Sequence, residues 1–181
     1  MLQSLCNRLY PAFSHSLGIF SRFDKFMYDD TQYKKYGEHP YSFVGKMLCG
    51  ESCFILKYLL EKEGCDVKVY RNQEQKNGYI DDHVFLEVDE TEIIDPTYRQ
   101  FMVDKCDRKK LFEDTPPILS TNDIESSVKE LVGEEKYTDV KKRWQQTDDV
   151  SEKFNLHEFA NDITKLIGKP DYYQKLVKNL R

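Results

Sequence analysis

The feature that most constrains this chain is a switch of hydrophobic period between residues 49 and 95. Cys49, Cys53, Leu56 and Leu60 recur at helical spacing, and Gly64 follows Lys62 where a helix needs a residue that tolerates left-handed backbone. The spacing therefore predicts a helix over Cys49–Lys62. From Asp66 the period falls to two. Val67 and Val69 alternate with polar neighbours in Asp66–Arg71, and His83–Val88 is rich in β-branched and large apolar residues. Glu92–Asp95 forms a short third run, joined to the second through a turn at Asp89-Glu90. Asn72–Gly78 reads as a polar loop. One helix followed by short, closely connected strands implies an antiparallel sheet and the α+β class.

The flanking segments read as helical. Residues 1–44 form an N-terminal helical and aromatic segment, with Leu5, Leu9, Phe13, Leu17 and Phe20 on one face, an expected break at Pro11, and loop or short helix from Asp24 to Ser42. Residues 45–115 hold the helix and strands. Pro116-Pro117 marks a boundary, and residues 116–181 form a helical C-terminal extension with patterns at 122–132, 134–147, 150–167 and 170–180. The 181 residues fit a single domain.

Composition excludes several classes. Hydrophobic residues make up 39% of the chain, with 12 Tyr and 11 Phe, which is enough to build a core. A net charge of -5 without a basic stripe argues against nucleic acid as a partner. No apolar run approaches the ~20 residues that span a bilayer. The five cysteines, Cys6, Cys49, Cys53, Cys65 and Cys106, form an odd set without CxxC spacing. This speaks against a disulfide scaffold and a zinc site, and for a reducing compartment. Residues 1–23 carry Arg8, Arg22, four Ser and no acid, a composition shared with organelle transit peptides, although a plain amphipathic helix accounts for it as well.

Three residues in chain order could carry chemistry. Cys49 opens the helix in Leu48-Cys49-Gly50-Glu51-Ser52-Cys53, and a helix N-terminus favours the thiolate that acts as nucleophile. His83 begins the second apolar strand run and can move the thiol proton to a leaving group. Asp95 ends the next strand, close enough across an antiparallel ladder to orient the imidazole.

The stretch Cys49-Gly50-Glu51-Ser52 through Leu56, Leu60 and Gly64 resembles the nucleophile helix of the papain-like/transglutaminase-like cysteine fold. His83-Val84-Phe85-Leu86-Glu87-Val88 resembles its histidine strand, and Ile94-Asp95-Pro96-Thr97 its aspartate strand. Within that superfamily, Asp95-Pro96-Thr97-Tyr98-Arg99-Gln100-Phe101 looks like the segment of toxin-type glutamine deamidases in which a glutamine five residues past the aspartate serves the oxyanion hole. Classical papain-like proteases carry that glutamine upstream of the cysteine, and residues 36–48 contain none. The resemblance spans residues 45–101. It implies a nucleophile helix on a small antiparallel sheet and catalysis by Cys49, His83 and Asp95, with Gln100 and the Cys49 backbone N–H at the oxyanion. It also implies a protein or peptide substrate bearing an amide, and no metal or organic cofactor. Domains of this type resemble bacterial effectors and toxins that modify host proteins.

Glutamine deamidation, transglutamination and proteolysis remain open alternatives at this point, as does a non-catalytic module whose C-terminal helices bind a partner. Cys53 reads as a core residue, and Cys6, Cys65 and Cys106 as inert thiols. Glu51 suits the helix dipole. Asp81 and Asp82 are poorer orienters than Asp95, because neighbouring strand residues face opposite ways. His15, His39 and His157 have no partner pattern. Lys109-Lys110 and Lys141-Lys142-Arg143 read as solvated faces, and Asp148-Asp149 as a cap region.

Overall fold

A computed structural model describes residues 2–24, 49–76, 79–102, 106–145 and 148–155. Helix α1 (Leu2–Asp24) leads to α2 (Cys49–Lys62), followed by strands β1 (Val67–Lys76), β2 (Tyr79–Val88) and β3 (Glu92–Asp95). A 3₁₀ turn (Tyr98–Phe101), α3 (Arg108–Asp114), β4 (Leu119–Ser120), α4 (Thr121–Val132) and α5 (Glu134–Lys141) come next. A 3₁₀ turn (Lys142–Trp144), β5 (Asp148–Asp149) and a last 3₁₀ turn (Ser151–Lys153) complete the described chain. The class is α+β, with one sheet of order β4-β3-β2-β1-β5 whose neighbours all run antiparallel.

Period-two alternation sorts the strand residues onto two buried faces. Val67, Val69, Val84, Leu86, Val88 and Ile94 pack with Leu9 and Phe13 of α1 and with Cys53, Leu56 and Leu60 of α2. Tyr70, Phe85, Ile93 and Leu119 belong to a second cluster with Leu111 of α3, Val128 and Val132 of α4, and Tyr137 and Val140 of α5. Helix α2 stops where expected. Gly64 sits at φ +89°, the Gly64 N–H bonds to the Glu61 carbonyl (3.0 Å) and the Cys65 N–H to that of Leu60 (3.2 Å). This paired closure needs left-handed backbone at its fifth residue.

Several expectations need correcting. Helix α1 runs through Pro11 rather than breaking there. Pro11 lies on the exposed side, where the carbonyl deprived of its partner can be solvated. Its buried face is Gln3, Cys6, Leu9, Tyr10 and Phe13; the side chains of Leu17 and Phe20 lie outside the described set. Asn72–Gly78 is not a loop: β1 continues to Lys76 and β2 begins at Tyr79, with Lys76 opposite Tyr79. Only Asn77 and Gly78 separate the strands, a pair strongly associated with tight hairpins. Beyond Asn72↔His83 the two strands pair only with each other among the described residues.

The helix expected over 134–147 ends as a 3₁₀ turn at Trp144. Asp148 and Asp149 form β5 against Arg71 and Tyr70 instead of a simple cap, although Asp149 Oδ1 also accepts from the Ser151 N–H (2.9 Å) and hydroxyl (2.5 Å). The helix expected over 150–167 begins as a 3₁₀ turn that ends at Lys153, and its later part lies outside the described residues. So do the pattern at 170–180 and the segment Asp24–Ser42 beyond its first residue. Residues 116–155 supply both outer strands of the sheet, so this part of the C-terminal third is built into the core.

The Gly64 closure makes a test of the helix stop. A Cβ at Gly64 meets no described atom within 4 Å, so Gly64→Ala carries only the backbone cost. It should lower stability by about 1–2 kcal/mol in urea denaturation, with no change in far-UV circular dichroism.

Candidate active site

Helix α2 brings Cys49 to the sheet. Cys53, one turn on, is fully buried, and its thiol donates to the Val84 carbonyl at 3.4 Å. That bond holds the first turns of α2 against β2 one residue past His83. Cys49, the first residue of the helix, stays half-buried beside the imidazole. Glu51 in the first turn complements the helix dipole.

The register of β2 and β3 places His83 near Asp95. Leu86 pairs with Ile94, so Asp95 lies one step beyond, diagonal to His83 on the same face. The imidazole Nε2 is 2.7 Å from Asp95 Oδ2, with His83 1% and Asp95 0% exposed. Ring nitrogen Nδ1 is buried without a hydrogen-bond partner among the described residues. It is the nitrogen left to meet the Cys49 thiol.

Asp95 is held from four directions. Besides His83, Oδ2 accepts from the Trp144 indole N–H at 2.7 Å. Oδ1 accepts from the Thr97 backbone N–H at 2.7 Å and from its hydroxyl at 3.2 Å. Burial would raise the Asp95 carboxyl, but His83, Trp144 and Thr97 outweigh it and hold it below the ordinary carboxylate range. Burial would likewise lower His83, yet the Asp95 charge and hydrogen bond, with the Cys49 thiol alongside, push it up to about 9. The pair is thus an imidazolium and a carboxylate at neutral pH. The ring of Phe101 stands edge-on to the imidazole, centroids 4.7 Å apart, and the Arg143 guanidinium lies 5.2 Å from the centre of that ring.

Gln100 is brought near the His83–Asp95 pair through Thr97. Its side-chain amide donates to Thr97 Oγ1 at 2.9 Å, one hydrogen bond removed from Asp95. The 3₁₀ turn that carries it is anchored by Tyr98, whose hydroxyl meets Thr115 Oγ1 at 2.8 Å and the Pro116 carbonyl. The buried Arg99 guanidinium donates to the Thr115 carbonyl and lies over Phe112.

Two partners of Asp95 were not read from the sequence. Thr97 had a local signal, since an aspartate two residues before it can close a turn onto its backbone N–H. Trp144, 49 residues from Asp95, had none. Among the remaining thiols, burial raises Cys53 well above its ordinary value and also raises Cys65 and Cys106, while Cys6 is fully buried. Lys109, Lys110, Lys141 and Lys142 are exposed, but Arg143 is half-buried against Phe101 and is more than a solvated charge. The side chains of Asp81, Asp82 and His15, and residues His39 and His157, lie outside the described set. Among the described residues no three His, Cys, Asp or Glu side chains gather as a metal site, and no described helix is long and apolar enough to cross a membrane.

The raised His83 value ties stability to pH. The folded form holds its proton more tightly than the unfolded chain, so the stabilisation is complete below an unfolded value near 6.5 and is lost as pH climbs through about 9. Urea midpoints should therefore fall between roughly pH 6.5 and 8, below the range where unfolded thiols titrate. His83→Gln should flatten that slope, and an unchanged slope would refute the coupling.

Comparison of the chain with protein-family models, curated proteins and solved structures finds no match in any of the three.

Proposed function

We propose that this chain is a thiol-dependent acyl-transfer enzyme acting on protein amides, of the papain-like/transglutaminase-like kind, with glutamine deamidation as its reaction. The observation that carries the reading is the bridging position of His83. One ring nitrogen is committed to a buried carboxylate, and the other is left beside a half-buried cysteine at a helix N-terminus. An imidazolium beside a thiol is the setting in which cysteine acts as thiolate.

The chemistry follows from those roles. The Cys49 sulfur attacks the side-chain carbonyl carbon, and the carbonyl electron pair moves onto oxygen. Backbone N–H groups at the start of α2 point along the helix axis and can receive that oxyanion. As the tetrahedral species collapses, His83 gives its proton to the departing nitrogen, which leaves as ammonia, and a thioester remains on Cys49. His83 then takes a proton from water, the hydroxide adds to the thioester, and the acid is released with the thiol restored. An amine in place of water would give transglutamination. Asp95 keeps the imidazole oriented throughout and takes no proton itself.

Gln100 enters this scheme as a brace. In the observed arrangement its amide supports Thr97, which supports Asp95. Gln100→Ala should therefore slow turnover by less than about tenfold, whereas loss of an oxyanion donor costs about 10²–10³. A loss of the larger size would reassign Gln100 to the oxyanion hole.

Site-resolved alkylation tests the core of the proposal. Iodoacetamide should label Cys49 fastest of the five thiols, and His83→Ala should slow that labelling by at least about tenfold. With glutamine-bearing proteins the native chain should release ammonia and convert glutamine to glutamate without new N-termini. Cys49→Ala should abolish both, while new N-termini would redirect the reading to proteolysis.

A further inference from the structure

Trp144 is the only tryptophan in the chain. It approaches the site from the C-terminal third, and we infer that it is a positioning residue whose indole N–H holds Asp95, and through it the His83 ring, in the working orientation. The inference goes beyond the acyl-transfer reading and rests on it only for the word working; the hold on the pair is tested separately.

The geometry is specific. Asp95 Oδ2 takes both the His83 Nε2 bond and the Trp144 Nε1 bond, each at 2.7 Å, so the indole fixes where the oxygen that meets the imidazole can sit. Thr97 fixes the other oxygen. Without the indole Oδ2 would keep the imidazole as its partner among the described residues, and the carboxylate could swing about its Cβ–Cγ bond as far as the Thr97 bonds to Oδ1 stretch. The turn that carries the indole is anchored by Asn72, and the ring by Tyr137. Asn72, opposite His83 in the β1–β2 ladder, donates through its side-chain amide to the Lys142 carbonyl at 3.0 Å. Tyr137 meets the Trp144 ring at a 63° angle with centroids 6.2 Å apart. Among the described residues, the charged and titratable groups facing the pair are Cys49 and Cys53 from α2, Tyr98 from the turn after β3 and, behind Phe101, Arg143. The Cys53 thiol is committed to the Val84 carbonyl and the Tyr98 hydroxyl to Thr115 and Pro116, so the indole is the neutral side-chain donor that Oδ2 has.

The test replaces Trp144 with 3-benzothienylalanine, which keeps the shape of the indole and lacks its N–H, and in parallel makes Trp144→Phe. His83 is followed by ¹⁵N chemical shifts across its titration, and Cys49 by iodoacetamide labelling. Lost positioning should bring the His83 midpoint down from about 9 and slow Cys49 labelling by at least about tenfold, with near-UV circular dichroism of the benzothienyl protein staying native. An indole that merely draws charge from Oδ2 would, once removed, leave a stronger partner for the imidazolium and raise the midpoint. A midpoint that is unchanged or raised would overturn the inference. If labelling of Cys49 proves indifferent to His83 in the native chain, the acyl-transfer reading falls. The His83 midpoint then still decides whether Trp144 holds the pair. Should Trp144→Phe fail to fold, the benzothienyl protein carries the decision alone.

Discussion

Removing a carboxylate from water costs several kcal/mol unless donors replace the solvent, and Asp95 is fully buried. Its charge is tolerated because three parts of the chain converge on it: His83 from β2, Thr97 from the turn that follows β3, and Trp144 from the turn that follows α5. Each of these requires the others to be in register. A slip of one residue between β2 and β3 would send His83 to the opposite face of the sheet. A shift of the β1–β5 pairing would carry Trp144 with it, because only a short connection separates Trp144 from Asp148. The hydrogen bonds on this one side chain thus fix the relation of the sheet to its C-terminal elements more sharply than apolar packing alone can do.

That dependence explains which parts of the molecule were legible in the sequence. Helix α2, its glycine stop and strand β3 are local: period, turn residues and length all lie within a few positions, and the expected bounds agree with those seen. The long β1–β2 arm was not legible from periodicity. Outside the region where the sheet is covered, hydrophobic alternation is not required, and Asn77-Gly78 was the better guide. Strands β4 and β5 are two residues each and carry no pattern of their own. They exist because neighbouring strands leave backbone groups to be satisfied, a condition visible only in three dimensions. The same holds for the site. Cys49, His83 and Asp95 could be read as a set from order and element type, and the His83–Asp95 contact follows from strand register. Trp144 belongs to the set through a contact between distant segments, and no spacing rule reaches it.

Gln100 shows where local reading is incomplete in another way. Its position five residues past Asp95 brings it to the right neighbourhood, on a turn held by Tyr98 and Arg99 against Thr115 and Pro116. A side-chain amide has more than one use there, and here it donates to the hydroxyl of Thr97. The turn fixes the backbone of Gln100, while the competition between hydrogen-bond partners decides what its amide does.

The two cysteines of α2 show how position within one element sets the surroundings of a thiol. Cys49 and Cys53 are four residues apart and so lie on the same side of the helix. Cys53 sits a full turn inside, with every surface covered, its thiol donating to the Val84 carbonyl and its ionisation opposed by burial and by the charge of Asp95. In that setting sulfur packs as a small apolar group. Cys49 sits where the helix begins, half-buried, with the imidazole of His83 alongside. A thiol one turn further in, as at Cys53, is buried against β2 and away from the start of the helix. The buried thiol of Cys53 therefore bears on Cys49, because its bond to Val84 sets how closely the first turn of α2 approaches His83.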